Sequence, residues 1–235
     1  MAPAFRRDRY ADLSPGARLL LVERDALLPI LRALPADDFD RPTSLPGWAI
    51  RDVLAHCAAA MTMAASGTMH GFTPQENQRD VEARRDWPIP TLLTELAGGY
   101  EGTAAAIAHA NGRLDGLALG EWTHGGDVRE ALGRPDAYAS EGLDDALTLA
   151  ERLSSRSRSV IPRTDVRLAD RVLRLGPVDD TSGVSGSDAT GSDATGTATL
   201  ETDSATFIRM LAGRSPDPNR YRLDGADPAQ YLMFG

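Results

Sequence analysis

The chain has 235 residues, 42% hydrophobic and 25% charged, enough to bury a core in one large domain or two small ones. Its net charge of -9 argues against a nucleic-acid partner, whose phosphates would be repelled, and every basic residue is arginine. Cys57 is the sole cysteine, so no internal disulfide forms. The opening "MAPAFRRDRYADLSPG" lacks the apolar run of a secretory signal, and no stretch approaches the roughly 18 apolar residues of a membrane span; a cytoplasmic protein without a membrane partner is expected.

Residues 13–35 predict a first long helix, with Ser14 as cap, Pro15 in the first turn, a broad leucine stripe and Pro35 at its end. A polar loop leads to a second helix from near Trp48 to Ser66. "QENQRDVEARRD" reads as a short charged helix. Residues 89–111 and 113–135 read as two more, weakened by internal glycines. Residues 140–161 give a fifth, capped by Ser140 and acidic near its start. Beyond Pro162 the texture changes. "DVRLADRVLRLGPV" alternates like a strand, and residues 181–196 form a low-complexity hairpin loop with the repeat GSDAT. "TATLETD" resumes as a strand, and "SATFIRMLAGR" is a helix capped by Ser204. The expected class is mainly α: an antiparallel helical bundle over residues 1–162, then a small α+β domain over 163–235.

His56 shares a helix face with Ala49, Val53, Ala60 and Met63, so its ring points inward. It is either a core histidine bonded to a carbonyl or a ligand. Leu117, Glu121, His124, Val128 and Leu132 form one stripe with a polar centre. An inward glutamate and histidine are costly unless paired or bound to a cation, and a spacing of three brings them together. Asp127 falls near the same face, as a further ligand or as the carboxylate that orients His124. His56, Glu121, His124 and Asp127 are therefore the candidate metal set, suited to zinc or another divalent transition metal with a position left open. The competing reading leaves Glu121 and Asp127 solvated on a helix tilted the other way.

At these residues the sequence resembles a family. "SLPGWAIRDVLAH" is similar to the first signature of the mycothiol-dependent maleylpyruvate isomerase group, a branch of the DinB-like four-helix bundles. "WTHGGDVREALG" is similar to the second. "ENQRDVEARRDWPIPTLLTEL" resembles the stretch after helix two, and "LETDSATFIRMLAGR" more loosely a sterol-carrier-like second domain. The resemblance implies a divalent metal, usually zinc, held by His56, His124 and a carboxylate. It also implies a low-molecular-weight thiol, mycothiol or bacillithiol, activated as thiolate against a small electrophile. The group's carboxylate stands four before its second histidine, where this chain has Gly120; Glu121 stands three before. The group's second-domain arginine corresponds loosely to Arg214, the candidate catalytic residue.

Cys57 reads as a core filler, Trp48 and Trp122 as packing at helix ends, His70 as a loop residue, and His109 as a helix-end residue that favours the dipole. "RRDRY" and "EARRD" read as solvated faces, with Arg79, Arg84 or Arg85 available to a substrate carboxylate. Two functions stand at this point: a metal- and thiol-dependent isomerase or S-transferase, monomeric or homodimeric, or a non-catalytic helical binding protein with a degenerate site. A metal-bound water acting in hydrolysis is the outcome if thiol affinity is lacking.

Overall fold

The computed structural model describes residues 9–69, 71–156, 161–177 and 197–233. His70, the repeat segment 181–196 and most of "RRDRY" lie outside these residues. The described helices are α1 (Pro15–Arg32), α2 (Ile50–Ser66), α3 (Pro74–Glu82), α4 (Ile89–His109), α5 (Asp115–Ala131), α6 (Leu143–Ser154) and α7 (Ser204–Leu211). The strands are β1 (Thr164–Arg167), β2 (Val172–Leu175), β3 (Ala198–Thr202) and β4 (Tyr221–Asp224). The chain divides into two compact units, 1–149 and 150–235, with the division inside α6. No described helix is long and apolar enough to cross a membrane.

In the first unit α1, α2, α4 and α5 make a four-helix bundle in which α1 and α2 each pack on both α4 and α5, while α3 lies on α2. The leucine stripe of α1 is the buried one: Leu19, Leu20, Leu27, Leu28 and Leu31 are all within 4% of full burial. Two of the glycines of α4 act as contact points rather than defects. A Cβ on Gly102 would stand 2.6 Å from Ala65 Cβ, and one on Gly99 2.9 Å from Met61 Cβ. Their bare backbone lets α4 approach α2 closely. Gly102→Val is accordingly expected to cost about 1–3 kcal/mol through overpacking, read as a lowered urea midpoint.

The fifth predicted helix starts late. Gly142 at φ 92° interrupts the chain, and α6 begins at Leu143 with Ala146 N–H bonded to the Gly142 carbonyl, so Ser140 does not cap it. The helix also ends at Ser154, short of residue 161.

The second unit carries a sheet of order β2-β1-β3-β4. The single strand expected over "DVRLADRVLRL" is two, β1 and β2, paired antiparallel with Thr164 opposite Leu175. β1 pairs parallel with β3, and β3 antiparallel with β4. Because β1 separates β2 from β3, the chain between them does not join hairpin partners, against the expected hairpin. Burial alternates along β1 and β2, and Val166, Leu173, Leu175 and Leu200 turn inward with Phe207 and Leu211 of α7. The cap of α7 is Asp203 rather than Ser204: its carboxylate accepts from Thr206 N–H at 2.9 Å.

Candidate functional site

"SLPGW" folds into a tight turn. Trp48 N–H donates to the Leu45 carbonyl at 3.1 Å, with Pro46 and Gly47 between them. Gly47 sits at φ 79°, the left-handed position that a type II turn reserves for glycine. The turn throws out two side chains toward the bundle. Trp48 lays its ring on His56, centroids 5.3 Å apart and tilted 50°, and its indole N–H reaches Gln78 Oε1 on α3 at 3.2 Å. Ser44 Oγ–H donates to Asp127 Oδ1 on α5 at 2.9 Å. A single short loop thus ties α2, α3 and α5 together at the histidines.

His56 comes from α2 and His124 from α5. Their rings meet edge to face with centroids 5.2 Å apart. His56 is 6% exposed, and its Nδ1 is buried with no hydrogen-bond partner; the carbonyl bond of an ordinary core histidine is not made there. Burial, reinforced by His124, lowers the His56 pKa to about 3, so the ring is neutral. His124 Nδ1–H donates to Asp127 Oδ2 at 3.0 Å. Asp127 is fully buried, and its other oxygen also accepts from Tyr138 Oη–H at 2.5 Å. The sequence offered Asp127 two roles, and the observed contacts are those of the carboxylate that orients His124.

Glu121 is 2% exposed, and its Oε2 is buried without a hydrogen-bond partner. Burial raises its pKa to about 7, against the opposing pull of His124 and of the Cys57 thiol. The same proximity, after burial, pushes the Cys57 thiol well above its ordinary value. Cys57 therefore sits against the candidate carboxylate as well as filling the core.

The α5 stripe is wider than its spacing suggested. Glu121, Trp122, Thr123, Gly125, Gly126, Asp127, Val128 and Arg129 are all buried, because the chain from Tyr138 to Gly142 covers the second face. Trp122 is buried mid-helix and donates its N–H to the Glu141 carbonyl at 3.0 Å. The two glycines after His124 are spaces. A Cβ on Gly125 would lie 1.9 Å from Glu23 Oε1, and one on Gly126 2.5 Å from the Tyr138 ring. The sequence reading missed Ser44, Tyr138 and the Glu23–Arg129 pair; the Gly-Gly pair at 125 and 126 was the available sign that something bulky lies against the helix.

Of the other candidates, Arg84 is committed to Glu95 through two bonds of 2.7 Å, while Arg79 and Arg85 are exposed. His109 closes α4, its Nδ1 against the Ala105 carbonyl at 2.9 Å. Arg214 lies in the second unit just after α7, half-buried, its guanidinium on the Ala212 carbonyl.

A divalent cation can be tested against these residues. Two imidazoles on one tetrahedral zinc, with bonds of about 2 Å, have ring centres about 5 Å apart; the two rings here stand 5.2 Å apart. Two imidazoles and a carboxylate with an orphaned oxygen are a suitable donor chemistry. Among the described residues, however, no group of three or more His, Cys, Asp or Glu side chains is arranged to hold a metal ion. The pair fits in donor type and separation, and the third donor is not drawn into place.

Fold and site together define a mainly helical protein in which a DinB-like antiparallel four-helix bundle precedes a small α+β unit. The family model for the mycothiol maleylpyruvate isomerase N-terminal domain matches residues 20–139, just over half of the chain, and the chain belongs to that family. Similar solved structures are the crystal structure of the mycothiol-dependent maleylpyruvate isomerase and that of a histidine-to-alanine mutant of it. Each has a TM-score of 0.56 at 14% identity, over 93% of this chain and 96% of that chain. At that identity the likeness is one of fold. No curated protein matches the sequence.

Proposed function

We propose that this chain is a thiol-dependent enzyme, an isomerase or S-transferase that uses mycothiol or bacillithiol against a small electrophile. His56, His124 and Glu121 would hold a divalent cation, zinc by preference, and Asp127 keeps His124 in place. The observation that carries the reading is the edge-to-face pair His56 and His124 beside two orphaned buried atoms, His56 Nδ1 and Glu121 Oε2. A buried polar atom without a partner is uncommon, and two in one neighbourhood call for a shared ligand.

Bound there, a divalent cation lowers a thiol's pKa and keeps thiolate available near neutral pH. The chain's own residues prepare for it. His56 is held neutral, so one of its ring nitrogens keeps an available lone pair at any ordinary pH. Asp127 accepts the hydrogen bond from His124 Nδ1–H, which leaves the lone pair of Nε2 free to bind a cation. Trp48 covers His56 and limits water at its face. In an isomerase, the thiolate adds to one carbon of a conjugated double bond, the resulting single bond rotates, and the thiolate leaves unchanged. In an S-transferase it stays on the electrophile. The role expected of Arg214 is tested separately: Arg214→Ala should lower turnover without loss of zinc.

The second reading is a non-catalytic helical-bundle binding protein with a degenerate metal site. The lack of a three-donor group among the described residues and the carboxylate at position 121 rather than 120 favour it. Metal analysis of protein purified without a histidine tag decides. About one zinc per chain, lost in His56→Ala and in His124→Ala, together with saturable mycothiol or bacillithiol binding, is expected of the enzyme. A folded, metal-free wild type that takes up no added zinc overturns it.

A further inference from the structure

Tyr138 is built into the fold in a way that packing alone does not require. It is one of two described non-glycine residues with positive φ, at 58°, a backbone conformation that a bulky residue adopts only when its surroundings hold it. It is 1% exposed, and its ring occupies the space that a side chain on Gly126 would fill. The hydroxyl so placed donates to Asp127 Oδ1 at 2.5 Å and lies 3.3 Å from Glu130 Oε2 and from Ser44 Oγ. With one proton to give, it serves the shorter bond.

We propose that Tyr138, assisted by Ser44, is a positioning residue for His124, acting through Asp127. The inference rests on the metal reading above and deepens it. A carboxylate in a fully buried place can rotate about its Cβ–Cγ bond and offer either oxygen. Two hydroxyl donors on Oδ1 remove that freedom and leave Oδ2 to His124 Nδ1–H. The imidazole is fixed in the tautomer with its lone pair on Nε2. The chain of contacts runs from the turn at residue 44 and the strained residue 138, through Asp127, to one histidine of the pair. It joins the two sequence signatures by a side-chain contact, Ser44 with Asp127.

The test uses full-length protein, with zinc ion alone as the probe. Partners one bond from a metal-binding histidine change affinity about 10–100-fold, so a group one bond further should change it about threefold to tenfold. In Tyr138→Phe the zinc Kd, from competition with a chromophoric chelator, is expected to rise by that factor. In the metal-free protein, imidazole nitrogen NMR is expected to show His124 moving from the Nδ1–H form to a mixture. Ser44→Ala, at an exposed loop residue, should move both readouts the same way and less. If Tyr138→Phe does not fold, Ser44→Ala decides by itself. An unchanged His124 tautomer in the folded variants overturns the proposal. If the wild type takes up no zinc, the metal reading fails while the tautomer still decides the positioning role.

Discussion

Arg129→Met is expected to destabilise the protein by about 3–5 kcal/mol, among the largest effects of any single substitution outside the histidine pair. Arg129 is 1% exposed and grips Glu23, itself fully buried, through two bonds of 2.6 and 3.0 Å. Even with this partner, burial raises the Glu23 pKa above its ordinary value. Without the guanidinium the carboxyl must either stay charged in an apolar interior or take up a proton. The loss should therefore grow as pH rises. The double variant Glu23→Met/Arg129→Met removes both charges and fills similar volume. It is expected to recover most of the stability, because a buried pair exchanged for packed apolar groups is often neutral or better. Chemical denaturation of the three proteins at pH 6 and pH 8 measures all of this. A single variant within 1 kcal/mol of wild type would show that the pair is solvated in a way its burial denies.

The same pair shows how far a sequence carries. Helix existence and the inward faces of α1 and α2 were legible because hydrophobic period and burial agree. His56 and His124 were legible as candidates because a polar residue in an apolar stripe stands out. Glu23 did not stand out: it falls among the charged residues of α1, and the arginine that neutralises it is 106 positions away. Tyr138 was invisible for another reason. Its part is set by a positive φ and by bare backbone at Gly126, and neither leaves a periodic mark. The strand boundaries went astray where four residues between β1 and β2 form a turn with little turn chemistry in "LADR". Glycines read as helix weaknesses were close approaches, at 99 and 102 between helices and at 125 and 126 beside the site. Periodicity reports which face is buried, and it does not report what comes to lie against that face.

Glu121 and His56 are expected to give the chelator-treated protein opposing pH dependences that nearly cancel. Folded Glu121 keeps its proton to about pH 7, against 4.5 for the ordinary carboxyl. The native state then binds more protons between those values, and stability falls as pH rises through them. His56 behaves oppositely. Its ring, ordinarily titrating at 6.5, is held to about 3, so the unfolded chain binds more protons and stability rises with pH across that interval. From pH 4.5 to 6.5 these two slopes offset each other in wild type. Glu121→Gln exposes the histidine slope, a gain of about 2–3 kcal/mol across the window at 1.36 kcal/mol per pKa unit. His56→Gln exposes the glutamate slope, a loss of similar size. Contributions from Glu23 and other groups are common to both variants and drop out of the comparison. Parallel slopes in the two variants would mean that Glu121 and His56 are not both buried in their neutral forms. Opposite slopes would show a site that keeps both donors uncharged until a cation arrives. Added zinc at pH 7.5 should then stabilise wild type by mass action and stabilise Glu121→Gln much less.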